Sequence, residues 1–321
     1  MTSPPQASVI VCTRNRAQSL EGSLARMIRQ RPALAWELIV VDNASTDATA
    51  TVVASIAEKA TNVPVRHLLE EQMGLSHARN RGVAEARGAY LLFTDDDVLV
   101  EPGWVDALCA GFAEHDVAGI AGKVVPNWLS PPPRWLAGRT LGLLAITDFG
   151  DEPRDLGEHE VPVGASMAIR ASLLDPAVPP FDPELGHRGT TYFAYEEYDL
   201  LLSLRQQGRL VYRPDAVALH QINPERTTWP GMRRASLHNG YGSRLAERRR
   251  GAGRIPLRTS LPALARAYVA MRRHTRRNAA RDDLEPDVAF EELVSYWELG
   301  RSIETTFGAS PLGTSLIGRL A

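Results

Sequence analysis

Cysteine is scarce in this chain: Cys12 and Cys109 are the only two among 321 residues. Both stand in apolar surroundings, which argues against a disulfide framework or a zinc cluster and fits a reducing compartment such as the cytoplasm. No apolar run approaches the roughly 20 residues that a membrane-spanning helix needs. Nor does a basic segment followed by a long apolar one open the chain, as an export signal would. The expectation is a cytoplasmic protein that is not integral to a membrane. Two glycine signatures are also missing. Neither G-x-G-x-x-G nor G-x-x-x-x-G-K-[ST] separates a strand from a helix, which disfavours a dinucleotide-dependent enzyme or a P-loop ATPase. The formal net charge is only −2, so the molecule as a whole is no obvious polyanion binder, and no nucleic-acid partner is expected.

What is present is alternation. Residues 8–12 (SVIVC) read as a strand that breaks into Thr13-Arg14-Asn15-Arg16, and residues 18–30 carry Leu20, Leu24, Met27 and Ile28 at helical spacing. A second unit repeats the order: a strand at 37–41, a polar loop at 42–47, and a helix at 49–60 with Val52, Val53 and Ile56 on one face. A strand at 65–69 follows, then a helix at 77–86 that Gly88 is expected to close as a C-cap. Such spacing indicates βαβ units and a mainly parallel sheet.

The chain is organised around residues 89–97 (AYLLFTDDD), an apolar strand that ends in Asp95, Asp96 and Asp97. The C-terminal edge of a parallel sheet is where open α/β proteins place ligands. Three adjacent carboxylates repel one another, and a hard cation such as Mg²⁺ or Mn²⁺, shared with substrate phosphates, relieves that repulsion. A solvated acidic turn is the plainer alternative, with a helix following at 103–114. The loops after the earlier strands bring Thr13, Arg14, Asn15 and Asp42 to the same edge, although turn and capping chemistry uses the same residue types.

Beyond residue 125 the pattern loosens. A Pro-rich stretch at 126–135 holds Trp128 and Trp135, each able to pack or to stack on a sugar, and residues 148–160 read as a polar loop. Residues 161–170 read as a strand with Gly164 where backbone can approach a ligand. Glu196 and Glu197 open a helix, where the helix dipole favours acids; beside an acidic, partly desolvated site either can serve as a general base. A strand at 209–213 precedes His220, which is either structural or an additional metal ligand.

In order and spacing these motifs resemble the family 2 glycosyltransferases. The elements are residues 9–15 (VIVCTRN), 38–45 (LIVVDNAS), 74–82 (GLSHARNRG), 95–97 (DDD), 164–170 (GASMAIR), Phe181-Asp182 and 196–200 (EEYDL). The resemblance covers about residues 8–220 and implies a GT-A fold: a Rossmann-like, mainly parallel central sheet flanked by helices. It implies an inverting, metal-dependent transfer from a UDP- or dTDP-linked sugar to a hydroxyl of a saccharide, lipid-linked or small-molecule acceptor, with Mn²⁺ or Mg²⁺. Asp42 then recognises the base ring, Thr13, Arg14 and Asn15 lie against the nucleoside, and Arg79 supports the diphosphate. Asp95 faces ribose or metal, Asp97 binds the metal, and Asp96 can share that duty because the register of three acids is open. Glu197 stands where the family has an aspartate as catalytic base; being one methylene longer, it leaves Glu196 as the alternative. His220 matches a histidine that binds metal or phosphate. Competing readings are a sugar-phosphate nucleotidyltransferase, disfavoured by the missing Gly-rich basic loop, and a non-catalytic nucleotide-sugar or polyanion binder.

Residues 1–225 are therefore expected to form the catalytic domain and 226–321 an Arg-rich helical extension. From Arg226 to Arg281 fifteen arginines face the single acid Glu247. Leu261, Leu264, Tyr268 and Met271 line one side of a helix there, either packed on the rest of the protein or laid on the inner membrane surface. The stretch 239–242 (NGYG), beside His238 and Arg244, is a candidate flap over the diphosphate. Asp287 is expected to cap a last helix bearing Phe290, Leu293, Val294 and Trp297.

Overall fold

The computed structural model describes residues 4–158, 160–187, 195–278, 283–308 and 310–320. Its first elements are β1 (Ala7–Thr13), α1 (Ala17–Met27), β2 (Trp36–Asp42), α2 (Thr49–Lys59), β3 (Val65–Leu69), α3 (Leu75–Glu85) and β4 (Tyr90–Asp95). β1 and β2 are apolar almost throughout because both faces of the sheet are covered. Val9, Val11, Leu38 and Val40 point to one side, where Leu20 and Leu24 of α1 and Val53 and Ile56 of α2 meet them. Ile10, Ile39 and Val41 point to the other, against Ala78 of α3. Alternation of side chains along each strand thus feeds two separate cores.

The chain continues through β5 (Val98–Val100), α4 (Trp104–Ala110), β6 (Val117–Trp128), β7 (Arg154–Asp155), β8 (Met167–Arg170), α5 (Glu196–Leu204) and β9 (Arg209–Ile222). The sheet order is β3-β2-β1-β4-β8-β6-β9-β5, with β7 paired to β9. Parallel pairing is confined to β3-β2-β1-β4. β8 runs antiparallel to β4 and β6, and β5 and β7 run antiparallel to β9, so the sheet is mixed. Gly88 is not the cap of α3, which ends at Ala86 in extended backbone. It serves a close approach instead: a methyl group at 88 would lie 2.5 Å from the Ser8 backbone nitrogen. The strand expected at 161–170 is shorter, and the one at 209–213 runs on to Ile222.

Contacts divide the chain into two units. The sheet unit holds residues 1–127, 145–184 and 196–221; the other holds 128–144, 185–195 and 222–321. The second unit therefore takes in two stretches that precede residue 226. Its helices are α6 (Trp229–Arg249), α7 (Leu257–Asn278), α8 (Pro286–Phe307) and α9 (Pro311–Leu320). Thr228 caps α6 by accepting from the Gly231 N–H at 3.2 Å. The expected flap at 239–242 is the buried middle of α6: a methyl group at Gly240 would lie 1.9 Å from the Trp297 carbonyl, and one at Gly300 2.0 Å from that of Leu237. Glycines there let two helix backbones touch. Inside the unit Arg233 pairs with Glu292, Arg248 with Glu304 and Arg301 with Glu247. Trp135 packs rather than waiting for a sugar, stacked on Trp229 at 4.3 Å between ring centroids. Asp287 lies in the first turn of α8, whose N-cap is Glu285, and pairs with Arg139. Among the described residues no helix is long and apolar enough to cross a membrane.

Candidate active site

Strand register sets the site. Thr13 at the end of β1 is level with Asp42 of β2, and Cys12 with Asp95 of β4, so both acids flank one strand end. Val98 in β5 is level with His220 in β9, which carries the histidine to the turn holding Asp96 and Asp97. α3 delivers Arg79 and α5 delivers Glu196 and Glu197. Every residue singled out for the site belongs to the sheet unit.

The acids are not left to repel one another. Thr13 donates to Asp96 Oδ2 at 2.7 Å, and Arg16 Nη1 lies 3.2 Å from Asp96 Oδ1 and 2.6 Å from Asp97 Oδ2. Burial nonetheless pushes the Asp96 carboxyl up to about 7 against the pull of Arg16, while Asp96 and Asp97 hold the Arg16 pKa above its ordinary value. Asp97 Oδ1 is 3.5 Å from His220 Nε2, and the His220 side chain is only 3% exposed. A carboxylate oxygen and an imidazole nitrogen at that separation suit a divalent cation whose other ligands are phosphate oxygens and water. Among the described residues, no three His, Cys, Asp or Glu side chains converge as a complete protein-only metal cage.

Arg79 is the second centre. Its side chain is 4% exposed, and Nη1 reaches Glu196 Oε1 at 2.6 Å and Glu197 Oε2 at 3.1 Å, while Nη2 lies 3.6 Å from Asp95 Oδ1. Gly164 makes room: a Cβ there would stand 2.0 Å from Arg79 Nη2. What approaches this glycine is therefore a guanidinium of the protein itself. The two glutamates part company by environment. Glu196 is 1% exposed, and burial, reinforced by the neighbouring Glu197, raises its pKa well above the ordinary carboxylate value. Burial also opposes charge on Glu197, but Arg79 and the hydrogen bond from Glu196 outweigh it, and the Glu197 pKa falls below the usual value. The two carboxyls are thus pushed in opposite directions: packing disfavours charge on Glu196, whereas Arg79 favours it on the 15% exposed Glu197. Glu196 Oε2 is buried with no hydrogen-bond partner among the described residues.

The remaining residues build the neighbouring loops. Arg14 Nη1 donates to the Asn43 carbonyl at 2.7 Å. Asn15, in left-handed backbone at φ 51°, accepts from the Thr46 N–H at 2.7 Å and donates its own N–H to Ser45 Oγ. Asp42 is 4% exposed; it accepts from the Ser45 N–H at 2.8 Å and has His67 Nε2 at 3.6 Å. Two further residues take part. Arg16 was legible only as one more loop residue, and His67 was hidden in β3, where its register with Val40 places it beside the end of β2.

A family model described as glycosyl transferase family 2 matches residues 8–175. Glucosyl-dolichyl phosphate glucuronosyltransferase of Haloferax volcanii is 23% identical over 251 residues, 75% of this chain and 77% of its own length. A validoxylamine A glucosyltransferase of Streptomyces hygroscopicus is 35% identical over 112 residues, 34% of this chain and 26% of its own length. In three dimensions the chain is similar to the mannosyltransferase PcManGT of Pyrobaculum calidifontis, solved with GDP-Man and Mn²⁺. The TM-score is 0.63 at 19% identity, over 96% of this chain and 89% of that one. A mixed sheet flanked by helices, with its acids gathered at the end of β4, is the GT-A arrangement, and the family model spans more than half of the sequence. The chain is a glycosyltransferase and belongs to glycosyl transferase family 2.

Proposed function

We propose that the protein transfers a sugar from a UDP- or dTDP-linked donor to an acceptor hydroxyl with inversion at the anomeric carbon, and that Glu197 is the general base. The observation that carries this reading is the geometry of the pair on Arg79: Glu197, 3.1 Å from the guanidinium and 15% exposed, beside Glu196, which is 2.6 Å from it and 1% exposed. An ionised carboxylate can accept the hydroxyl proton as the acceptor oxygen attacks, from the face opposite the leaving diphosphate. Glu196 then orients Glu197 and Arg79 and does not itself take the proton. Asp42, fixed by the Ser45 N–H, is the proposed contact for the uracil or thymine ring, with Arg14 and Asn15 shaping the nucleoside side. Asp97 and His220 are the residues that would hold Mn²⁺ or Mg²⁺, with Asp95 and Asp96 toward ribose or metal. Such an ion, when bound, supplies Lewis-acid charge for the departing diphosphate. The reaction class serves cell-envelope, polysaccharide or other glycoconjugate synthesis. The two cysteines are both free, which fits a cytoplasmic setting.

Thermal shifts with UDP-, dTDP- and GDP-linked sugars, with and without Mn²⁺, test the donor site. A shift for a uridine or thymidine donor that needs Mn²⁺ and is lost in Asp97→Ala supports the reading. A shift confined to guanosine donors overturns the assignment of Asp42, and donor binding indifferent to both Mn²⁺ and Asp97 overturns the metal assignment.

A further inference from the structure

We propose that the outward face of α7, with the segment leading into it, docks on an anionic lipid bilayer. The inference is independent of the donor chemistry and concerns the helical unit alone. Residues 251–278 carry seven arginines and no aspartate, glutamate or lysine. One side of α7 is engaged: Ser260, Met271 and Asn278 are buried, and Leu264 and Ala267 are partly so. The rest of its circumference is in water, where Leu257 is 55%, Leu261 47%, Tyr268 43% and Val269 57% exposed, with Ile255 at 42% just ahead. Of the four residues read as one apolar side of this helix, Leu264 and Met271 pack inward, and Leu261 and Tyr268 stay outside.

The exposed residues form two adjoining strips. At about 100° per residue, Leu257, Leu261 and Tyr268 fall within roughly 40° of one another, and Arg258, Val269, Arg272 and Arg276 form the strip beside them. Three arginines elsewhere in the unit are paired with carboxylates: Arg233 with Glu292, Arg248 with Glu304 and Arg301 with Glu247. Among the described residues no carboxylate pairs with Arg258, Arg266, Arg272, Arg273, Arg276 or Arg277. The fold therefore leaves positive charge and large apolar side chains together on one helix face. Anionic headgroups satisfy the guanidinium groups while the acyl boundary takes Ile255, Leu257 and Leu261, the arginine stems reaching along the apolar surface. A nucleic acid would match the charge but leave the aliphatic side chains in water.

The test is co-sedimentation of the full chain with vesicles of phosphatidylcholine alone or mixed with phosphatidylglycerol, and titration with duplex DNA. Two double variants are compared, Arg272→Gln with Arg276→Gln and Leu257→Ser with Leu261→Ser. All four positions are exposed, and thermal melting verifies that each variant folds. The protein is expected to bind the mixed vesicles only and to be released by high salt. The glutamine pair should weaken partition about 30-fold, and the serine pair about tenfold or more. Donor hydrolysis should be unchanged in both, which separates failure here from failure of the transfer reading. No binding to the mixed vesicles overturns the proposal. So does binding that the serine pair leaves intact and that duplex DNA matches, since the face would then be a general polyanion site.

Discussion

Arg79 occupies the room that Gly164 leaves, with Nη2 only 2.0 Å from where a methyl group at 164 would sit. The contact ties the start of the 164–170 segment to the guanidinium that holds Glu196 and Glu197. Gly164→Ala must move either the backbone or Arg79, and overpacking of this kind costs about 1–3 kcal/mol. The expected result is a lower denaturation midpoint together with a fall in kcat of more than about tenfold, since small displacements of a base are costly. Unchanged kcat in the folded variant would show that the Arg79 position does not matter to the reaction.

Arg16 stands between Asp96 and Asp97, where a divalent cation would compete with it for the same oxygens. Removing that positive charge should favour the ion. Arg16→Ala is expected to bind Mn²⁺ roughly tenfold more tightly, the scale of one unit charge withdrawn from a few ångströms away. Titration followed by the electron paramagnetic resonance of free Mn²⁺ measures this without turnover. Weaker binding in Arg16→Ala would mean that the arginine helps to form the ion site.

His238 gives the helical unit an acid-sensitive point. Burial, then the charges of Arg234 and His187, push its pKa from 6.5 down to about 4. Between those values the unfolded chain binds the proton more readily than the folded one, so stability is full above pH 6.5 and lost as pH falls toward about 4. Urea melts on either side of pH 6.5 should show His238→Gln losing less stability on acidification than the parent chain. Parallel losses would place the acid sensitivity elsewhere.

The strands around the site were legible because β1, β2 and β4 are buried on both faces and their apolar runs end where polar loops begin. The three-residue β5 was not, since Val98–Val100 is too short to show a period and follows directly on the acids. Gly240 and Gly242 read as a loop because glycine usually weakens a helix; here Gly240 is the contact surface between α6 and α8, which only the partner helix reveals. Candidate acids could be named from order and spacing, but their counter-charges could not. Arg16 comes from a loop and Arg79 from α3, and nothing local in the sequence aims either at Asp96, Asp97 or Glu197. The division of labour between Glu196 and Glu197 was likewise invisible, because adjacent identical side chains differ only in the water that tertiary packing leaves to each.

The glutamate pair therefore offers the most direct test. Donor binding and transfer to acceptor should be measured side by side for Glu197→Gln and Glu196→Gln. Glu196 is buried away from any acceptor, and Glu196→Gln keeps its shape, so transfer is expected to stay within about tenfold of the parent. Glutamine at 197 cannot take a proton, and transfer should fall about 10²–10⁴-fold while donor affinity is kept. The reverse ranking, or equal transfer by both variants, would contradict Glu197 as the base.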